Sequence, residues 1–414
     1  MTLTETHKKV MLNLLKLATS HYANVRIRSQ DTLHQMTMTY AYSYKVILEP
    51  TLDLLSSDNS EEKVSHEAFK GALYILIGHK DKSMLTKHDW STLSKVWPAL
   101  LLSRHSEKPS VAKLLDQVFK TLHKHSETFA MEAQVSEKAV NLALNILTGE
   151  RPSEAEMEAA KNKCLEANAK NIRIYENLVD KLCQELETRK LHWRHYNLGL
   201  EMLTILTRCD KVLPARAVKL MVENLTHENL VARKCSIHVL GSIFKQHKRP
   251  HPKLPIDIDD DSNVPGDREG NLWLCYDKDK VPKSAEEWDQ PRYVHKTHYG
   301  YYKWPSKMLV YAPSEQQPKL KRELEEMSEE EKEIYRFFIN ESKVSKLIEF
   351  LSLEERKGQD RFDARRFFMF KGLFRNFGDS FLHLFRQHLE RLVGKSVSKI
   401  YSAYFLVTAQ KHHL

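Results

Sequence analysis

Four copies of one apolar ladder constrain this chain more than any other feature. Val25-x3-Ser29-x3-Leu33, Val64-x3-Ala68-x3-Ala72 and Val111-x3-Leu115-x3-Phe119 recur at separations of 39 and 47 residues. Val231-x3-Cys235-x3-Val239 repeats the pattern after a helix opened by Leu213-Pro214. An i, i+4, i+8 ladder is one face of a helix. Set on the second helix of successive hairpins, at a period of about 40–47 residues, it is the mark of HEAT or armadillo units, which bury their faces by stacking on neighbours. From residue 7 to about 247 the periodicity stays helical, and Tyr175, Leu178, Val179, Leu182, Cys183 and Leu186 line one helix face. Ser153 with Glu156, Ser284 with Glu287 and Ser328 with Glu331 fit S-x-x-E capping boxes. Strand-like alternation is scarce. The expected class is therefore all-α, an α-solenoid of HEAT/armadillo-like hairpins, with a helical bundle as the competing arrangement.

Composition breaks this pattern once. Nine of the fourteen prolines fall between Pro250 and Pro318, too many for continuous helix. The segment opens with "IDIDDDSNVPGDREGN", expected to stay mobile. It runs on through Trp273, Trp288 and "RYVHKTHYGYYKWP" (292–305), residues too apolar for a solvated linker. A long Pro- and aromatic-rich insertion laid across the solenoid follows, its rings clamping it to the repeats. The expected division is 1–247 for HEAT-like repeats, 248–320 for the insertion and 321–414 for further HEAT-like helices.

Catalytic patterns are missing. There is no G-x-G-x-x-G or G-x-x-x-x-G-K-[ST], which argues against nucleotide-driven chemistry, and no G-x-S-x-G, H-E-x-x-H or S-x-x-K with companions. Asp257, Asp259 and Asp261 match the first positions of a calcium loop, yet Ser262 and Arg268 stand where glycine and a bidentate Glu are required. His295 and His298 have no second ligand pair at zinc spacing. No metal site is expected. The five cysteines, all at least nineteen residues apart, read as reduced, mostly buried thiols. No apolar run approaches the roughly 20 residues of a membrane span.

The charge is positive, +9 overall, and residues 190–253 hold 12 Lys/Arg against 4 Asp/Glu. Such a field attracts anions without naming them. "FKQHKRPHPK" (244–253) is either a phosphate or nuclear-import element or an exposed hairpin end. Arg356, Lys357, Arg361, Arg365 and Arg366, mixed with Glu354, Glu355, Asp360 and Asp363, read as ion-paired surface.

"NLWLCYDKDKVPKSAEEWDQPRYVHKTHYGYYKWP", preceded by "HENLVARKCSIHVLGSIFKQHKRPHPK", closely resembles the large single-chain HEAT-repeat proteasome activators. The resemblance covers all 414 residues, and 292–305 is its most specific part. Family chains are far longer, so the sequence reads as an interior or truncated segment. The resemblance implies a non-catalytic cap that sits on the α-ring of the core proteasome. It opens the gate without ATP or ubiquitin and admits unfolded proteins, acetylated histones among them, in nucleus and cytoplasm. It also implies links to DNA repair and spermatogenesis. Neither the family's penultimate tyrosine nor its bromodomain-like reader is matched; the chain ends His412-His413-Leu414. Family domes bind inositol phosphates. No other cofactor is expected, and local composition nominates Lys296, Lys303, Tyr301 and Trp304 with Lys245, Lys248 and Arg249 as the anion site. Two other readings stay open: a transport or scaffold solenoid of karyopherin type, and a nucleic-acid binder. The latter is disfavoured because no RNP-type motif surrounds the aromatic run.

Overall fold

The computed structural model describes residues 3–55, 65–78, 84–86, 89–104, 108–126, 131–134, 136–147, 149, 151–188, 190–257, 273–275, 283–288, 293–295, 298–303, 307–319, 322–356, 364–378 and 380–389. These residues form two compact units. One gathers Met1–His247 with the helices from Arg322 onward, and the other is built from Lys248–Lys321.

Among the described residues the first unit is helical, its elements joined by turns and short connections. Its first half holds α1 (Glu5–Ala18), α2 (Ala23–Thr39), α3 (Tyr44–Asp53), α4 (His66–Ile77), α5 (Trp90–Leu101), α6 (Pro109–Ser126) and α7 (Glu137–Ile146). The second half holds α8 (Glu154–Thr188), α9 (Trp193–Leu206), α10 (Ala215–Glu223), α11 (Leu230–Gln246), α13 (Glu329–Phe338), α14 (Glu341–Arg356), α15 (Ala364–Phe377) and α16 (Leu382–Leu389), with α12 (Ala285–Trp288) belonging to the other unit. Starts are set by side chains that take up unpaired backbone N–H groups. Ser153 with Glu156 and Ser328 with Glu331 close full capping boxes. Thr4 does the same with His7 in place of the usual Glu or Gln. At the end of α4 the chain turns at Gly78 with φ 69°, a conformation costly for any side chain with a Cβ.

The repeat ladders point inward as expected, except at two opening rungs. Leu33, Ala72, Val111, Leu115, Cys235 and Val239 are buried, but the opening rungs Val25 and Val231 lie in the first turns of α2 and α11 and stay exposed. Val64 lies outside the described residues. The face read on α8 is the one the structure buries, from Tyr175 to Leu186. Packing follows simple hairpins for α1 with α2, α3 with α4, and α10 with α11. The helices around the third ladder depart from that scheme: α5 packs chiefly on α8 and α9, and α6 on α4. The cause is the breadth of the apolar surface of α5, where Trp90, Leu93, Val96, Trp97, Leu100 and Leu101 are all buried. Trp90 meets Tyr175 of α8 edge-on at 5.8 Å. Such broad burial needs neighbours on more than one side. The fold is thus the HEAT-like helical class expected.

The second unit adds short strands to this helical class. β1 (Lys253–Asp257) pairs antiparallel with β5 (Lys307–Tyr311), and β2 (Trp273–Cys275), β4 (His298–Lys303) and β3 (Tyr293–His295) form a three-stranded sheet in that order. Each strand has three to six residues, too short for alternation to register in sequence. β1 and β5 pair across the segment that carries β2, α12, β3 and β4, and Pro255 sits in β1 of this two-stranded ribbon, where a missing ladder donor is tolerated. The capping box read at Ser284 forms only by half. Glu287 N–H donates to Ser284 Oγ at 3.2 Å, while the Glu287 carboxylate accepts from Lys283 N–H at 2.6 Å, one residue further back. The acidic run from residue 258 lies outside the described residues, as do the side chains of 293–308, so the mobile-loop and clamping expectations fall outside them too.

Candidate functional site

The nominated anion residues divide among several places. Lys296 and Trp304 lie outside the described residues. Tyr301 and Lys303 sit on β4; in register, Tyr301 stands between Cys275 and Tyr293, and Lys303 opposite Trp273. Lys248 is exposed, and Arg249 donates from Nη1 to the Lys319 carbonyl at 2.6 Å. Around them, His251 Nδ1 lies 3.1 Å from Gln317 Oε1, and Gln317 Nε2 donates to Pro252 and Ala312 carbonyls at 3.1 and 2.7 Å. Arg249 and Gln317 thus tie the two ends of this unit together. Lys245 is an exposed cation in the last turn of α11.

The basic window at 190–253 is less open than its composition suggests. Arg208 pairs with Asp210 at 2.7 Å and Lys211 with Glu176 at 3.2 Å. Arg216 reaches Asp180 at 2.5 Å and Glu187 at 2.6 Å. Three of these acids stand on α8, before the window begins, so counting along the sequence missed them. Arg233 is buried, donating to the Glu228 carbonyl at 2.9 Å and covering the Phe350 ring at 4.2 Å. Lys343 and Lys346 of α14 take up Glu223 and Glu228 at 2.6 and 3.2 Å. The cations left outward include Lys190, Arg194, Lys219 and Lys245.

Where the chain re-enters the helical unit, it builds an enclosed ion pair. Arg322 grips Glu331 with two bonds of 3.0 and 2.6 Å, and the two side chains are only 12% and 8% exposed. Burial would raise the Glu331 pKa, but the Arg322 fork and the Ser328 N–H hold it below the usual value, helped by His247. Arg322 also lies over Phe377 at 5.9 Å. Asn376 donates to the Gly372 carbonyl at 2.9 Å and the Phe244 carbonyl at 3.4 Å. Gly372 packs so closely that a Cβ would lie 2.5 Å from that of Phe244. Sequence reading found the Glu331 cap but not its partner. The outward-ion-pair reading of the 356–366 cluster fails at Arg366, which is 3% exposed: it shares the α15 face of Met369, Phe370 and Leu373. Lys357 and Arg361 lie outside the described residues.

A second polar hub was also missed. Asp89, N-cap of α5, accepts from Ser91 N–H at 3.1 Å, Ser91 Oγ at 2.7 Å, Thr92 Oγ1 at 2.9 Å and Tyr44 Oη at 3.1 Å, and pairs with Lys45 at 2.8 Å. Burial opposes its charge, yet Lys45, Ser91 and Thr92 hold its carboxyl well below the usual range. The D-x-S/T pattern "DWST" was the available signal. Burial pushes Tyr44 up to about 12. Cys183 and Cys235 are buried, and burial raises them to about 12 and 11, the opposite of an activated thiol. Among the described residues no group of His, Cys, Asp and Glu could hold a metal, and no helix is long and apolar enough to cross a membrane.

These helical pairs, with a strand-bearing unit inserted in sequence after α11, define the class of HEAT-like repeat proteins. Residues 216–399 match the family described as "Proteasome activator complex subunit 4-like, HEAT repeat-like". Along 94% of its length the chain is 39% identical to proteasome activator complex subunit 4 of Homo sapiens and of Xenopus laevis. It is 37% identical to subunit 4A of Danio rerio over the same share. The resemblance to that family holds over nearly the whole chain, and the chain spans 22% of the length of these relatives.

Proposed function

We propose that this chain forms part of the wall of a proteasome activator. The observation that supports it is 39% identity to proteasome activator complex subunit 4 along 94% of the chain, joined to a HEAT-like helical unit. Stacked helix pairs make extended surfaces suited to lining a chamber. In this reading the protein does no bond chemistry. It caps the core proteasome at the α-ring, opens the gate without ATP or ubiquitin, and admits unfolded or acetylated histone substrates in nucleus and cytoplasm. The test mixes the intact, full-length protein that carries this chain with purified core proteasome, without nucleotide. Co-sedimentation and faster hydrolysis of a fluorogenic peptide are expected; neither occurring rejects the reading.

An inositol phosphate is part of the same proposal, with Lys296, Lys303, Tyr301, Trp304, Lys245, Lys248 and Arg249 as its contacts. Titration calorimetry with inositol hexakisphosphate should show weaker binding when Lys296→Ala and Lys303→Ala are combined. Unchanged affinity removes the assignment.

A further inference from the structure

We propose that the surface around Trp193 is a docking site for an acidic peptide segment that carries an apolar side chain, presented by a partner protein. This goes beyond the proteasome-activating reading and does not rest on it. Trp193 opens α9 with 57% of its surface exposed, while Trp90 and Trp97 are buried. It is not an isolated ring. The Arg194 guanidinium lies 5.1 Å from its centroid and the His192 ring 5.6 Å away. Exposed Lys190 stands just before it. One turn on, Tyr196 stacks on His227 at 5.5 Å and 20°, and its hydroxyl donates to Asn224 at 3.0 Å. The α8–α9 turn and the turn that leads into α11 are thereby joined in one surface.

The charge at this surface selects the ligand. Acids that could neutralise it are already engaged: Glu187 by Arg216, Glu223 by Lys343 and Glu228 by Lys346. Among the described residues neither Lys190 nor Arg194 takes part in an ion pair. An exposed indole flanked by uncompensated cations repels a basic ligand. It favours carboxylates beside a side chain that covers the ring, the arrangement of aromatic and Arg anchors at interface centres. Single-stranded nucleic acid also combines negative charge with stacking, but it needs successive open rings along a phosphate track. Here Tyr196 and His227 are stacked on each other and Trp193 is partly covered by Arg194.

The test is fluorescence anisotropy on the full chain with three labelled probes: a glutamate-rich peptide with a central leucine pair, its lysine-for-glutamate counterpart, and an oligothymidylate. Saturable binding to the acidic peptide, weakened by salt, is expected, with the lysine peptide not bound. Trp193→Ala should weaken the acidic peptide by about tenfold, the scale of an interface anchor. Lys190→Glu with Arg194→Glu should remove binding. All three side chains are exposed, so circular-dichroism melts should match wild type, and the charge-reversed pair gives a second reading should Trp193→Ala melt early. Wild-type failure to bind the acidic peptide, undiminished binding by the charge-reversed pair, or tighter binding of oligothymidylate at equal salt overturns the proposal.

Discussion

Two arginine forks in the helical unit use the same chemistry in opposite surroundings. Arg216 bridges Asp180 and Glu187 on the outside of α8, its side chain 40% exposed, whereas Arg322 holds the buried Glu331 of α13 and lies over Phe377 of α15. An exposed pair gains little, because water and salt screen it. An enclosed pair is no bargain either, since both ions give up hydration; what it creates is a heavy penalty for losing one partner. The contrast separates decoration from commitment. Where the Arg216 fork joins two helices that already pack, the Arg322 node ties the returning chain to α13 and α15 through contacts that water does not screen.

The largest effect expected is from Arg322→Ala, which strands the Glu331 carboxylate and should destabilise the fold by about 3–5 kcal/mol in urea melts. Its pH dependence sharpens the point. In the wild type the Glu331 pKa is lowered, so its contribution is fully present above the unfolded value of about 4.3 and is lost as pH falls through the folded one. Without Arg322 only the Ser328 N–H and His247 still oppose the burial effect, so the folded pKa rises and the carboxyl takes up its proton at a higher pH than in the wild type. The gap between variant and wild type should then narrow from pH 7 to pH 4; a constant gap would mean that packing, not charge, sets the loss. Next comes Gly372→Ala, where the added methyl meets the base of Phe244 and about 1–3 kcal/mol of strain is expected. The smallest is Arg216→Ala, below about 1 kcal/mol and vanishing in high salt. An Arg216→Ala loss as large as that of Arg322→Ala would erase the distinction between the two forks.

How much was legible in the sequence depended on the range of the interaction. The α8 face from Tyr175 to Leu186, and the caps at Ser153 and Ser328, are local patterns, and the structure repeats them. The strands of the second unit were not legible, because Leu254 and Val310 become neighbours only through the fold. The same holds for the anion neighbourhood. Composition saw cations in 190–253 but not that Glu176, Asp180 and Glu187 of α8 would bind three of the chain's ion pairs there. Arg366 looked like a surface charge among charges until its helical phase set it beside Met369 and Phe370. The neighbours of Tyr301 and Lys303 are fixed only by β-register, which no short motif encodes.

The packing of Phe244 against Gly372 and Asn376 has a consequence in time as well as space. α11 is synthesised early, but the Asn376 amide that bonds the Phe244 carbonyl comes 132 residues later, with the whole strand-bearing unit between. At ribosomal rates of about 5–20 residues per second, one side of α11 waits on the order of ten seconds for its cover. Throughout that interval the nascent chain offers an apolar helix face without its native cover, the kind of surface a holding chaperone binds.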